Sequence, residues 1–280
     1  MKILLTLLFF LPITAHAGLL DLLPLKAIER KMIYPLSPEH VDPARLGLPN
    51  TTEHRIDHPS ASIVVWSVPA TGKSRATVLY FHGNAGNLAL RAERFKQMQA
   101  QGFDVLAMSY RGSSGSTGVP SETAITNDAL HLYLNAGKYV PLRAPRNLIL
   151  YGESLGSAVA IALLAKLSEA QRPSGVILEA PFSSIPDMAR AVTDVPDTLI
   201  SRISDRWESL SRGHALTMPT LVLHGTADEV TPMRMGQAIF KAAPHKDKNF
   251  VAVKGGSHSG TWRSDTMPKL WRFINTYGAY

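Results

Sequence analysis

The sequence predicts an α/β structure with a mainly parallel sheet flanked by helices. Three observations predict it. Short, almost continuously apolar runs rich in β-branched residues end abruptly at Gly, Pro or polar residues, as strands covered on both faces do. Helix-like stretches alternate with these runs. The 280 residues, 45% of them hydrophobic, supply enough apolar surface for one sizeable core.

The elements follow in chain order. Residues 1–17 read as an export signal. Lys2 opens it, an apolar run from Ile3 to Ile13 is broken only by Thr6 and Pro12, and Ala15-His16-Ala17 gives the small-x-small cleavage pattern. The run is short for a bilayer span of about 20 residues, and an uncleaved N-terminal anchor is the rival reading. Residues 18–280 then form the folded domain. A lead-in, residues 18–49, contains the amphipathic stretch 19–34 with Lys26, Arg30 and Lys31; Pro24 interrupts it, and packing against the domain is expected over binding a membrane surface. Strands are expected at residues 62–68, 76–81, 104–109, 147–151, 175–179, 220–223 and 250–253. Helices are expected at 88–101, 121–139, 154–168 and 233–243. Residues 182–217 are too long for an ordinary connection, and Met188, Val192, Leu199, Ile200, Ile203 and Trp207 are spaced as in a small helical cap.

Composition removes several classes of function. With no cysteine there is no thiol nucleophile, disulfide framework, cysteine metal site or lipoprotein anchor. An exported chain without disulfides fits a bacterial periplasm, or secretion from such a cell, better than a eukaryotic secretory route. The net charge is +7, but Lys and Arg are scattered, so no nucleic-acid footprint is expected. Peripheral attraction to an anionic membrane remains compatible with that charge.

The chemistry concentrates at the ends of the expected strands. Asn147-Leu-Ile-Leu-Tyr151 runs into Gly152-Glu153-Ser154-Leu155-Gly156, and a helical pattern of small and apolar residues leads out. Strand, G-x-S-x-G and helix together are the context of a nucleophile elbow, in which Ser154 is exposed on a strained turn that needs small neighbours. The Leu155 N–H points where an oxyanion would form. Serine needs a base oriented by a third group. Asp228 follows the run Leu221-Val-Leu-His-Gly225, and His258 follows Phe250-Val-Ala-Val253, so both reach the Ser154 edge of the sheet in the chain order Ser, acid, His. Glu229 and Glu179 are the competing acids. His224 reads as structural, His245 as solvent-exposed. Tyr80-Phe81-His82-Gly83-Asn84-Ala85-Gly86-Asn87 ends another strand; its amides, Asn84 N–H first among them, complete an oxyanion hole, with His82 bracing the loop.

These segments, together with Tyr110-Arg111-Gly112-Ser113-Ser114-Gly115-Ser116, Ala180-Pro181-Phe182-Ser183-Ser184 and His224-Gly225-Thr226-Ala227-Asp228, resemble the abhydrolase-domain serine hydrolases of the α/β-hydrolase superfamily from about Tyr34 to the C-terminus. Relatives of that kind include acylglycerol lipases, protein depalmitoylases and bacterial esterases. The chain departs from them at Ser109, where the subgroup often has Asp, and at Ser113, where it commonly has an aromatic residue.

The resemblance implies the α/β-hydrolase fold and acyl transfer on a small-molecule or lipid-like ester, with no metal or organic cofactor. His258 takes the Ser154 proton, Asp228 orients the imidazole, and the Asn84 and Leu155 amides hold the oxyanion. A peptidase or thioesterase using the same three residues is the alternative, and a non-catalytic binding module on this scaffold a more distant one. Oligomeric state, acyl-chain length and the physiological ester are not legible at this level.

Overall fold

The computed structural model describes residues 25–142 and 147–279. The chain divides into two compact units, residues 1–35 and 36–280. In the first unit, helix α1 (Leu25–Ile33) has Arg30 and Lys31 in its last turn and exposes Ile28 and Met32, one turn apart. The expected leader, and residues 19–24 of the expected amphipathic stretch, lie outside the described residues.

The second unit is built on an eight-stranded sheet: β1 (Thr52–His58), β2 (Ala61–Val68), β3 (Ala76–Phe81), β4 (Phe103–Met108), β5 (Leu148–Glu153), β6 (Gly175–Glu179), β7 (Thr220–Gly225) and β8 (Lys248–Val253). Their spatial order is β1-β2-β4-β3-β5-β6-β7-β8. β1 pairs antiparallel with β2, and β2 with β4; all the other pairings are parallel. β3, β4, β6 and β7 are buried at every position, which is why they read as unbroken apolar runs rather than alternating ones.

Helices cover both faces. On one, Phe95 and Met98 of α2 (Ala92–Ala100) and Leu270, Phe273 and Ile274 of α8 (Met267–Tyr277) join a single apolar cluster with Val78, Tyr80, Val105, Tyr151, Ile177 and Leu223. On the other, α3 (Glu122–Leu134) packs on α4 (Leu155–Leu164), and α4 lies on β3, β5 and β6. All ten residues of α4 are buried, so its sequence is apolar or small all round instead of amphipathic. α7 (Met233–Ala242) closes the end of the sheet against β7 and β8.

Several expected elements are corrected. The 88–101 helix is a 3-10 turn, Leu88–Arg91, followed by α2. The 121–139 helix ends as α3 at Leu134 and continues only as the 3-10 turn Ala136–Lys138, and the 154–168 helix ends at Leu164. Residues 182–217 hold α5 (Ile185–Val192), α6 (Asp197–Ile200) and a 3-10 turn at Gly213–Ala215, joined by irregular chain. β1 and α8 were not expected from sequence.

Candidate active site

Because β3 and β5–β8 run parallel, the loops that leave them open on the same edge of the sheet. Ser154 leaves β5 and enters α4 on a sharp turn with φ 51° and ψ −113°, a region L-residues avoid. The turn is possible only because its neighbours are glycine. A Cβ on Gly152 would stand 2.4 Å from the Gly156 carbonyl oxygen, and one on Gly156 would stand 2.0 Å from the Phe81 carbonyl oxygen. Ser154 N–H donates to the Glu179 carbonyl at 2.8 Å, tying the turn to β6. Leu155 opens α4, so its N–H has no acceptor within the helix.

Asp228 is buried in the loop after β7. Its Oδ1 accepts the N–H groups of Val230 at 2.9 Å and Thr231 at 2.8 Å, and its Oδ2 accepts the Thr231 hydroxyl at 2.8 Å. Oδ2 also lies 2.8 Å from His258 Nδ1 and 3.4 Å from His224 Nε2. Burial works to raise the Asp228 carboxyl, but the hydrogen bonds from His224, His258 and Thr231 outweigh it and hold the group far below the usual carboxylate range. An ionised carboxylate only accepts, so the His258 proton sits on Nδ1 and Nε2 is left to accept. Ser154 Oγ is 2.9 Å from that Nε2. Asp228, His258 and Ser154 therefore form one continuous hydrogen-bonded chain.

The two competing acids are elsewhere. Glu229 is exposed. Glu179 is buried and taken up by other donors: Arg94 at 2.5 and 3.0 Å, the Tyr151 hydroxyl at 2.6 Å, and the Thr261 hydroxyl. His224 is buried, with Nε2 donating to the Thr231 carbonyl at 2.7 Å. His245 is half-buried, not fully exposed, and its Nδ1 accepts from Asp247 N–H.

The loop after β3 approaches the same edge. His82 is fully buried, stacked on Tyr110 with ring centroids 4.1 Å apart, and its Nδ1–H donates to the Gly83 carbonyl at 2.7 Å. Burial, reinforced by the Arg91 charge, pushes its imidazole down to about 3, so it is neutral at ordinary pH and braces rather than titrates. The Tyr110 hydroxyl donates to the His82 carbonyl at 2.6 Å. Ser113, one of the departures from the family pattern, donates to the Gly86 carbonyl at 3.1 Å.

Sequence reasoning missed two groups of residues here. Thr231 makes two of the contacts that hold Asp228, and its hydroxyl also lies 3.2 Å from His258 Nδ1; an Asp followed by Thr three positions later, an Asx-type turn, was the available signal. Beneath the turn, Arg91 and Arg94 of the α2 region meet Glu153 and Glu179 at the ends of β5 and β6. Burial works to raise the Glu153 carboxyl, but the Arg94 and Arg91 guanidiniums more than offset it and bring it to about 2. An open cleft of about 380 Å³ lies between the 182–217 segment and α7, with Ser183, Asp187, Arg190, Leu210, Arg234 and Met235 among its walls. Among the described residues no group of three or more His, Asp or Glu side chains is arranged to hold a metal.

Comparison with known proteins agrees with this architecture. The model of the family described as "Serine aminopeptidase, S33" matches residues 72–212 and 207–261. Protein bem46 of Schizosaccharomyces pombe is 35% identical over 199 residues, 69% of this chain and 64% of that protein. Lysophosphatidylserine lipase ABHD12 of Macaca fascicularis is 30% identical over 236 residues, 74% of this chain but only 58% of that protein. The chain thus spans less than two thirds of the length of either relative. Among solved structures, an alpha-beta hydrolase from Vibrio vulnificus superposes with a TM-score of 0.73 at 20% identity, covering 91% of this chain and 94% of that one. An esterase of Pyrococcus furiosus superposes with a TM-score of 0.71 at 16% identity, covering 88% and 100%. The chain belongs to the S33 family and has the α/β-hydrolase fold.

Proposed function

We propose that the protein hydrolyses carboxylic esters by acyl transfer to Ser154. The observation that carries this reading is the hydrogen-bonded chain from Asp228 Oδ2 through His258 to Ser154 Oγ, with steps of 2.8 and 2.9 Å. As Ser154 Oγ attacks the ester carbonyl, its proton passes to His258 Nε2, and the buried Asp228 carboxylate stabilises the imidazolium that results. The oxyanion is held by the N–H groups of Leu155 and Asn84; the loss of one such donor costs about 2.7–4 kcal/mol in comparable enzymes. His258 then returns its proton to the leaving alcohol, and water, deprotonated by the same imidazole, releases the acid.

The substrate class is a small or lipid-like ester. Likeness to a lysophosphatidylserine lipase supports the lipid end of that range. Residues 182–217 act as a cap over the acyl site, and residues 1–17 act as an export leader that delivers the domain to the periplasm or outside the cell. Among the described residues no helix is long and apolar enough to cross a membrane.

The test is hydrolysis of p-nitrophenyl esters of increasing acyl length, with Ser154→Ala in parallel. The reading expects turnover with an optimum that sizes the pocket, and a fall of about 10⁴-fold or more in the variant. Full activity in Ser154→Ala would overturn it. A second reading, a serine peptidase with the same residues, is favoured by the description of the matching family. It predicts cleavage of aminoacyl p-nitroanilides in preference to esters.

A further inference from the structure

Arg91 and Glu153 take no part in the proton transfers proposed above, yet they join the two backbone segments on which the oxyanion hole depends. Glu153 immediately precedes Ser154. Arg91 lies just past the Asn84 loop, at the end of the 3-10 turn that leads into α2. The guanidinium is buried and uses its planar fork in two directions at once. Nε and Nη2 donate to the two Glu153 carboxylate oxygens at 3.1 and 2.9 Å. Nη1 donates to the Ala85 carbonyl at 2.8 Å and to the Asn87 carbonyl at 3.4 Å. The Tyr80 hydroxyl gives Glu153 Oε2 a further bond at 2.7 Å, which fixes the carboxylate on β3. The pair also packs directly under the first turn of the loop, because a Cβ on Gly83 would lie 3.0 Å from both Arg91 Nη2 and Glu153 Oε1.

A buried ion pair is a costly way to fill space, since an apolar pair of similar volume is usually as stable or more so. What an apolar pair cannot supply is a bidentate, directional link between a particular carbonyl and a particular carboxylate. We propose that Arg91 and Glu153 are positioning residues that fix the Asn84 amide relative to Ser154 and Leu155, so that both donors converge on the oxyanion. The proposal rests on the ester-hydrolase reading of Ser154. Its physical basis is the narrow geometric tolerance of an oxyanion hole. The donors must stand 2.7–3.1 Å from where the oxyanion forms, and not from the ground-state carbonyl oxygen. A displacement of about 1 Å costs up to about 10²-fold in rate.

Lysine at position 91 keeps the charge but reaches Glu153 or Ala85 with a single point donor, and so severs the link. Arg91→Lys is therefore expected to lower kcat by about tenfold to a hundredfold while KM stays within about threefold. A trifluoromethyl ketone, whose adduct carries the oxyanion, should lose affinity by the same factor. Rates are expressed per active site, counted by fluorophosphonate titration, so that a loss of folded protein does not enter. Glu153→Gln, nearly isosteric, is expected to show the same pattern to a smaller degree and serves if Arg91→Lys fails to fold. Unchanged kcat in the variants, or a loss carried by KM alone, would overturn the positioning role. Ser154→Ala measured alongside separates the two ideas: if it is active the ester reading fails, whereas if it is inactive and Arg91→Lys is unimpaired only the fork fails.

Discussion

At the scale of single residues, His82 shows how burial sets chemistry beside the site. Its folded-state imidazole is pushed down to about 3 from an ordinary value of 6.5 by burial and the nearby Arg91 charge. Between those two values the unfolded chain takes up a proton that the folded one refuses. The contribution is therefore complete above pH 6.5 and is lost progressively as pH falls towards 3. Urea titrations from pH 6.5 to 4 should show a stability decline to which His82 contributes up to about 1.4 kcal/mol per pH unit. His82→Asn, which cannot titrate but can still donate to the Gly83 carbonyl, should flatten the decline; equal slopes in both proteins would contradict the assignment. Single residues were also where the sequence was most informative. Ser154, Asp228 and His258 each follow an apolar run that could only be a strand, in the order the fold demands, so their convergence was legible without coordinates. The Arg91–Glu153 link was not. Its partners stand 62 positions apart, and an Arg in a polar helical stretch is ordinarily solvated.

At the scale of elements, the β5–Ser154–α4 turn concentrates backbone strain at the proposed nucleophile. A non-glycine residue at φ 51° costs about 1–2 kcal/mol. Ser154→Gly and Ser154→Ala lose the same hydroxyl, but only glycine relieves the strain. In chemical denaturation the glycine variant should be the more stable of the two by about 1 kcal/mol, the relief being partly offset by its greater unfolded-state freedom. A glycine variant equal to or weaker than the alanine one would show that the turn is unstrained. G-x-S-x-G between a strand and a helix is a local pattern, so this element could be read from sequence. β1 could not, because Thr52–His58 is an edge strand with only Ile56 among its apolar residues, paired on one side by β2. Nor was α8, whose Pro268 and mixed polar face conceal the stripe Leu270, Phe273 and Ile274 that covers the sheet.

At the scale of the whole domain, parallel pairing of β3 and β5 to β8 brings the five loops that follow these strands to one edge, and the proposed site draws on residues as far apart in sequence as Asn84 and His258. The fold class was legible because every central strand is buried on both faces. The interior of residues 182–217 was not, since its two helices have eight and four residues and are joined by irregular chain. Everything proposed for the molecule depends on Ser154 being an activated nucleophile, and one measurement tests that directly. The purified protein is treated with a fluorophosphonate, digested, and the modified residue located by mass spectrometry. Stoichiometric modification of Ser154, abolished in His258→Ala, is the predicted result. An enzyme that turns over esters while its label sits on another residue, or that carries none, would contradict the account.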